Sequence, residues 1–439
     1  MSDKTRGKLG LKELIAIGVG GMVGGGIFSV LGLSVSTAGH AAPVAFSIGG
    51  AIALLTGLSY AKLGLHFGGD GGSFTYIEKA FKGENIAGIS GWLLLTGYIG
   101  TLALYAYTFG VYGGAMLGGG PFAQVIHHIL ESFILLLFLG VNLYGVQAAG
   151  ETEDIIVMVK VIILGLFAVA GLFFMNPEHL APFFNKGTSG ILMGAALIFV
   201  AYEGFELIPN AINEMKNPER DLGRGILWAV ILTVLIYLAV SLVAVGNLSP
   251  EDITRYKEYA LAIAAKPFLG KAGFTLIGLG ALLSTASAIN ATLFGTARLG
   301  MVMAKEKELP KVFFHRERTK DIPFASLIII TALSLLFVNA TDLTIISSFA
   351  SSTFLLTFVG INLSAIRLRR DIRISFPAPL IGLAMSGLSW LVLIVYLLRT
   401  DRHALAWIGA FYAAVIAAEI LFSKRGILFK RKGAPRNGG

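Results

Sequence analysis

Apolar residues gather along this chain in twelve long runs, separated by short polar or glycine-rich stretches. The runs cover approximately 12–37, 42–66, 86–115, 125–147, 150–174, 188–214, 222–246, 272–303, 323–339, 343–366, 376–398 and 404–423. A helix rises ~1.5 Å per residue, so about 20 residues cross a hydrocarbon core of ~30 Å, and each run is long enough to cross with some tilt. No polar stretch between them is large enough to form a separate soluble domain. The pattern predicts one all-α integral membrane domain with twelve transmembrane helices, spanning 1–439.

Composition agrees: 55% of the 439 residues are hydrophobic and 14% are charged. The 55 glycines suit a bundle whose helices approach closely. Cysteine is absent, which excludes disulfides, thiolate catalysis and cysteine-ligated metals. The basic start (Lys4, Arg6, Lys8, Lys12) leads into the first run without a small-residue cleavage site, so no removable signal peptide is expected.

The net charge of +9 is a topological signal. With both termini on one side, that side carries 27 of the 35 Lys and Arg. The opposite side carries Lys186, Arg255, Lys257, Lys266, Lys271, Arg399 and Arg402, and Lys160 lies within a run. The positive-inside rule therefore places both termini in the cytoplasm, for a multi-pass protein of the cell membrane. Asp70 and the basic cluster Lys305, Lys307, Lys311, Arg316, Arg318 and Lys320 fall in cytoplasmic loops, as topology signal and gate ion pairs. A nucleic-acid surface would need a soluble basic face with stacking aromatics, and none is expected.

Two runs are interrupted. In the first, Gly24, Gly25 and Gly26 follow Gly18, Gly20 and Gly21, and glycine costs about 1 kcal/mol relative to alanine inside a helix. In the sixth, Glu203 and Glu206 flank Gly204 at mid-run. Counting five runs from each break makes the chain repeat: 12–174, then 188–366. Runs 376–423 supply helices 11 and 12, with 1–11 and the basic tail 424–439 in the cytoplasm. Paired interruptions at equivalent places in two halves point to a 5+5 inverted-repeat transporter, with helices 1 and 6 unwound at mid-membrane around the site.

Unwinding dictates what such a site binds. The N–H groups of Gly24, Gly25 and Gly26 open a half-helix, whose positive dipole end suits a carboxylate. Carbonyls freed at Met22, and at Val200, Ala201 and Glu203, suit an ammonium. Side by side, the two halves describe the zwitterionic head of an α-amino acid.

Lys160 lies about half-way through the fifth run, roughly 15 Å from its start at Gly150. An ammonium there costs ~2.5–3.5 kcal/mol or more on insertion scales, and neither interface is within reach of its stem. Ionisable groups so placed mark ion or proton pathways. His127 and His128 are adjacent, so on a helix their rings diverge by about 100° and form no i,i+4 metal pair; they are expected at the interface. No metal or cofactor is expected, and no Ser–His or acidic catalytic constellation sits at the midplane.

The stretch GGMVGGGIF from Gly20 to Phe28 resembles the first-helix glycine motif of the amino acid–polyamine–organocation superfamily. FVAYEGFE from Phe199 to Glu206, followed by NEMKNPER from Asn213 to Arg220, is similar to its sixth-helix and following-loop signature. GGDGGSFTY from Gly68 to Tyr76 with Phe81, and Ala297-Arg298 with MAKEKELP from Met303 to Pro310, resemble its cytoplasmic loops. VKVIILGLF from Val159, AAKPFLG from Ala264 and GALLSTAS from Gly280 resemble its proton-coupled members in particular.

The resemblance covers nearly the whole chain and implies a LeuT-like fold. It implies a secondary transporter that takes up amino acids by alternating access, proton-coupled, sodium-independent and broad in specificity. Carried over residue by residue, Lys160 stands where sodium-coupled relatives hold their ion, facing the Gly20 carbonyl and the Ser284 hydroxyl. Glu206 suits the superfamily as a gate or brace, whereas a carboxylate at Glu203 departs from its neutral-substrate pattern. The expected partners are amino acids, protons and the lipid bilayer, with a monomer as the expected state. The alternatives are an exchanger and a polyamine or cationic amino-acid carrier without proton coupling.

Overall fold

A computed structural model describes residues 9–422 apart from 69–70, 82–84, 119–121, 146–149, 306–308 and 317–321. The expectations for Lys4, Arg6, Lys8, Asp70, Lys307, Arg318, Lys320 and the 424–439 tail lie outside the described residues. Sixteen helices follow in order: α1 Leu11–Met22, α2 Gly26–Ala38, α3 Ala42–Phe67, α4 Gly72–Phe81, α5 Asn85–Met116, α6 Ala123–Tyr144, α7 Gly150–Phe174 and α8 Gly187–Leu197. Then come α9 Pro218–Asn247, α10 Pro250–Arg255, α11 Ala260–Ala264, α12 Lys266–Lys305, α13 Phe324–Ala340, α14 Leu343–Arg367, α15 Pro377–Thr400 and α16 Arg402–Phe422. The chain is all-helical: no strand occurs among the described residues, only an isolated backbone bridge between Leu9 and Met215.

Each apolar run falls on a helix or on a broken pair of helical pieces. By length and composition, nine helices among the described residues can cross a membrane, the longest being the run Gly26–Phe67 that carries α2 and α3 together. The number is ten when Gly187–Leu197 and Phe199–Glu214, which meet at 51°, count as one bent span. The chain is a multi-pass membrane protein.

Burial sorts the helices into an inner and an outer set. In the apolar windows of α14 and α5, 78% and 72% of residues are buried, against 17% in α6 and 22% in α15. The outer helices turn Leu136, Leu137, Leu388 and Leu391 outward, as lipid contact requires. Inside a bilayer every backbone polar group needs a protein partner, which makes each interruption of a helix a question of where its hydrogen bonds go.

The two interruptions cross each other. Gly204 has φ +117°, a conformation that L side chains rarely adopt, and its added Cβ would lie 2.5 Å from the Gly21 carbonyl carbon and 2.7 Å from the Met22 nitrogen. Reciprocally, a Cβ on Gly21 would stand 3.0 Å from the Gly204 Cα. Backbone therefore rests on backbone, and glycine is required on both sides. Below this crossing the N-terminal segment is tied to the same unit: Leu9 donates to the Glu214 carbonyl at 3.0 Å and accepts from Lys216 at 2.9 Å.

Gly204→Ala is expected to cost about 2–4 kcal/mol, from backbone strain plus overpacking. Gly140→Ala, where an added Cβ meets nothing within 4 Å, is expected to be neutral or slightly stabilising. Melting temperatures of the two purified variants in detergent check this; a Gly204→Ala protein that melts like the parent would contradict the crossing.

Candidate functional site

The first interruption can be accounted for carbonyl by carbonyl. Val19 accepts from the Val23 N–H at 2.8 Å and Gly21 from the Gly24 N–H at 3.3 Å. Gly20, at the C-terminal end of α1, accepts from the Lys160 ammonium at 2.7 Å. Met22 accepts from the Tyr237 hydroxyl at 2.6 Å. Ser284 donates to the Val23 carbonyl at 2.6 Å and also lies against that of Gly24. Gly25 accepts from the Ser29 N–H at 2.9 Å and from its hydroxyl at 2.6 Å. Side chains from α7, α9 and α12 thus replace the hydrogen bonds that a continuous helix would have made.

Lys160 is 1% exposed. Its ammonium caps one of the carbonyls orphaned where α1 stops, at the negative end of that half-helix, where a cation is favoured. A Cβ on Gly20 would stand 2.7 Å from Val157, so α1 and α7 touch closely at this level. Lys160 and Ser284 therefore hold neighbouring carbonyls of the break, Lys160 that of Gly20 and Ser284 those of Val23 and Gly24.

The unwound stretch is shifted by one residue from the sequence expectation. Val23, Gly24 and Gly25 form the turn, while Gly26 is already the first residue of α2, because the Ser29 N–H closes the first helical turn on the Gly25 carbonyl. Gly25 and Gly26 still stand at the N-terminal end of the outer half-helix. Their missing Cβ atoms permit close contacts: an atom added at Gly25 would be 2.2 Å from the Tyr105 ring, and one at Gly26 would be 2.8 Å from the Ala201 Cα.

The second interruption is braced from α14. Ser347 and Ser351 donate to the Leu197 carbonyl at 2.8 and 2.7 Å, and the Val200 N–H donates to the Ser351 hydroxyl at 3.0 Å. Of the carbonyls expected to receive an ammonium, Met22 and Ala201 converge on one point, the Tyr237 hydroxyl, at 2.6 and 2.9 Å. The Val200 carbonyl is instead used by the Glu203 N–H at 3.1 Å.

Both carboxylates of the sixth run face α5. Glu206 accepts from Tyr98 at 2.7 Å and from Tyr60 at 2.9 Å, which gives it the geometry of a brace between α3, α5 and the bent segment. Glu203 accepts from Thr101. Tyr98 and Thr101 belong to a stripe on α5, Tyr98, Thr101, Tyr105, Thr108 and Tyr112, spaced alternately by three and four so that all share one helix face. Thr108 pairs with Ser29 at 2.6 Å, and Tyr112 donates to the Phe28 carbonyl at 3.1 Å.

The adjacent histidines behave differently from the expectation. Their rings stack, with centroids 5.5 Å apart and planes 7° apart. Both reach the buried Glu131, His127 at 3.0 Å and His128 at 2.6 Å. The Cα–Cβ bonds diverge as a helix demands, but a carboxylate three and four residues on draws both side chains back together. Among the described residues, no group of three or more His, Asp or Glu could hold a metal.

Sequence reasoning singled out Lys160, Ser284, Glu203, Glu206 and the glycines, and missed Tyr237, Ser351 and the α5 stripe. The stripe had a signal, five aromatic or hydroxyl residues at 3–4 spacing within an apolar run. So did α14, where Ser347 and Ser351 stand one turn apart. Tyr237 had none: a lone tyrosine in an apolar run does not reveal which neighbour it meets.

Comparison with known proteins adds to this geometry. An Escherichia coli inner membrane transport protein, YbaT, is 32% identical over 94% of this chain and 96% of its own. An uncharacterised protein of Methanocaldococcus jannaschii is 34% identical over 95% of each chain. The serine/threonine exchanger SteT of Bacillus subtilis is 28% identical over 69% of each. Among solved structures, a manganese transporter of Eremococcus coleocola shares the fold, with a TM-score of 0.63 at 12% identity over 95% of this chain and 97% of that one. The Escherichia coli, Bacillus subtilis and Eremococcus coleocola proteins are transporters and not enzymes. The sequence pattern described as amino acid permease matches residues 9–419, so the chain belongs to the amino acid permease family.

Proposed function

We propose that this permease is a secondary transporter that takes up amino acids by alternating access, driven by protons and independent of sodium. Its twelve apolar runs form a LeuT-like bundle of two inverted five-helix repeats plus two helices, in the cell membrane with both termini cytoplasmic. The substrate head group lies at the paired breaks, its carboxylate at the N-terminal end of α2 and its ammonium at the Met22 and Ala201 carbonyls. A broad range of side chains is accepted. The working unit is a monomer.

The observation that carries this reading is the Lys160 ammonium on the Gly20 carbonyl at 2.7 Å, in a membrane interior. A charged lysine ties α7 to the end of α1 beside the Ser284 contact with Val23, so one proton controls a joint between α1, α7 and α12. Removing that proton leaves a neutral amine, whose N–H is a weaker donor than that of an ammonium, so the hold on the Gly20 carbonyl loosens and rearrangement of the α1 end is favoured. The opening and closing of the site thus become linked to protonation.

A second reading, exchange of one amino acid for another, is favoured by the likeness to the Bacillus subtilis serine/threonine exchanger. A polyamine or cationic amino-acid carrier would use Glu203 as the counter-charge. Both differ from the proton-driven reading in whether accumulation follows a pH gradient.

Two outcomes follow in proteoliposomes. Lys160→Ala is expected to abolish pH-gradient-driven accumulation of labelled amino acid, at least ten-fold below the parent, while binding measured by thermal stabilisation survives. Accumulation that persists in Lys160→Ala would assign the lysine a structural role only. Glu203→Gln, which keeps the size of the side chain and removes its ability to ionise, is expected to change the substrate panel or the pH profile of uptake. A variant that matches the parent in both leaves Glu203 with no part in substrate choice or proton handling.

A further inference from the structure

Tyr237 stands where the two breaks meet, and its chemistry bears on how the carrier completes its cycle. Its side chain is fully buried, and its ring is fixed edge-on against Phe46 and Tyr202 at centroid distances of 5.4 and 5.3 Å. Tyr202 is itself pinned, donating to the Phe46 carbonyl at 2.6 Å. The hydroxyl is therefore delivered from α9 to a defined point, 2.6 Å from the Met22 carbonyl and 2.9 Å from the Ala201 carbonyl. One of these carbonyls belongs to the first break and the other to the second.

Two buried carbonyls without intrahelical partners need a donor throughout the cycle, because a buried acceptor left unmatched loses its full desolvation energy. A substrate ammonium supplies three N–H donors to them. When the substrate leaves, that supply ends. A carrier confined to exchange crosses only when loaded, so its closed form needs no internal donor. A carrier that performs net uptake has to close and return unloaded, and needs an internal donor at the same place.

We propose that Tyr237 is a positioning residue that substitutes for the substrate ammonium, joining the Met22 and Ala201 carbonyls so that the unloaded carrier closes and returns. This rests on the amino-acid reading above, and it assigns the chain to net uptake instead of obligate exchange. One hydroxyl proton cannot serve both carbonyls fully, so the internal cap is weaker than an ammonium and yields to it on binding. The ring packing on Phe46 and Tyr202 leaves only the hydroxyl to be removed by Tyr237→Phe.

The test compares net uptake into amino-acid-free proteoliposomes with counterflow into vesicles preloaded with unlabelled amino acid, for the parent and for Tyr237→Phe. Removing the hydroxyl is expected to lower the ratio of net uptake to counterflow about ten-fold, the rate effect of one buried hydrogen bond. An unchanged ratio, or equal loss of both activities, overturns the proposal. A measurement on the parent alone stands even if the variant folds poorly: efflux of labelled amino acid with and without unlabelled amino acid outside. Efflux that proceeds at a similar rate in both supports an unloaded return, and efflux that requires outside substrate overturns it. A parent that shows neither counterflow nor uptake of any amino acid would instead refute the functional reading on which this rests.

Discussion

Everything around the site depends on one constraint, that a helix interrupted inside a bilayer must find protein partners for the hydrogen bonds it gives up. The chain meets it by crossing its two interruptions at Gly21 and Gly204, where an added Cβ would stand 2.5–3.0 Å from the opposing backbone. Neither break could approach the other with side chains in between. Lys160 and Ser284 serve the loose carbonyls of the first break, Ser347 and Ser351 that of Leu197 at the second, and Tyr237 reaches one carbonyl of each.

These donors sit on helical stretches that are unbroken where they donate, α12 kinking only at Gly270, so the breaks are suspended from continuous helices. In the proposed cycle these contacts differ in how much they change: the lysine exchanges a proton, the tyrosine yields to substrate, and the serines keep their carbonyls. Protonation thus acts at Gly20, substrate at Met22 and Ala201, and the serines hold what stays fixed. The carboxylates fit the same scheme, since Glu206 is held by two tyrosine hydroxyls and Glu203 by one threonine.

Much of this was legible in the sequence. Hydropathy alone located the apolar runs, because a segment must bury its backbone in helix to enter lipid, and nine or ten helices among the described residues are long and apolar enough to cross. Lys160 and the glycine clusters stood out because charge and glycine are costly inside a membrane helix, so their presence demands a reason. The partner of Lys160, Gly20, came from resemblance and agrees with the contact found. What the sequence did not disclose are contacts between distant segments that cost nothing locally. Tyr237 is compatible with any buried helix face, and only the packing of α9 against α1 and α3 aims its hydroxyl at Met22. The turn at Val23–Gly25 was misjudged by one residue, since three successive glycines do not say which of them restarts the helix. Only the divergence of the two histidine rings was misjudged, because Glu131, three and four residues on, draws them together.

The central claim is that protons drive amino acids through this site without sodium. Its most direct measurement is accumulation of labelled amino acid by the unaltered protein in sodium-free proteoliposomes with an alkaline interior. The account predicts accumulation above the external concentration that collapses when a protonophore is added. Accumulation that appears only with sodium, or that is indifferent to the protonophore, would contradict it.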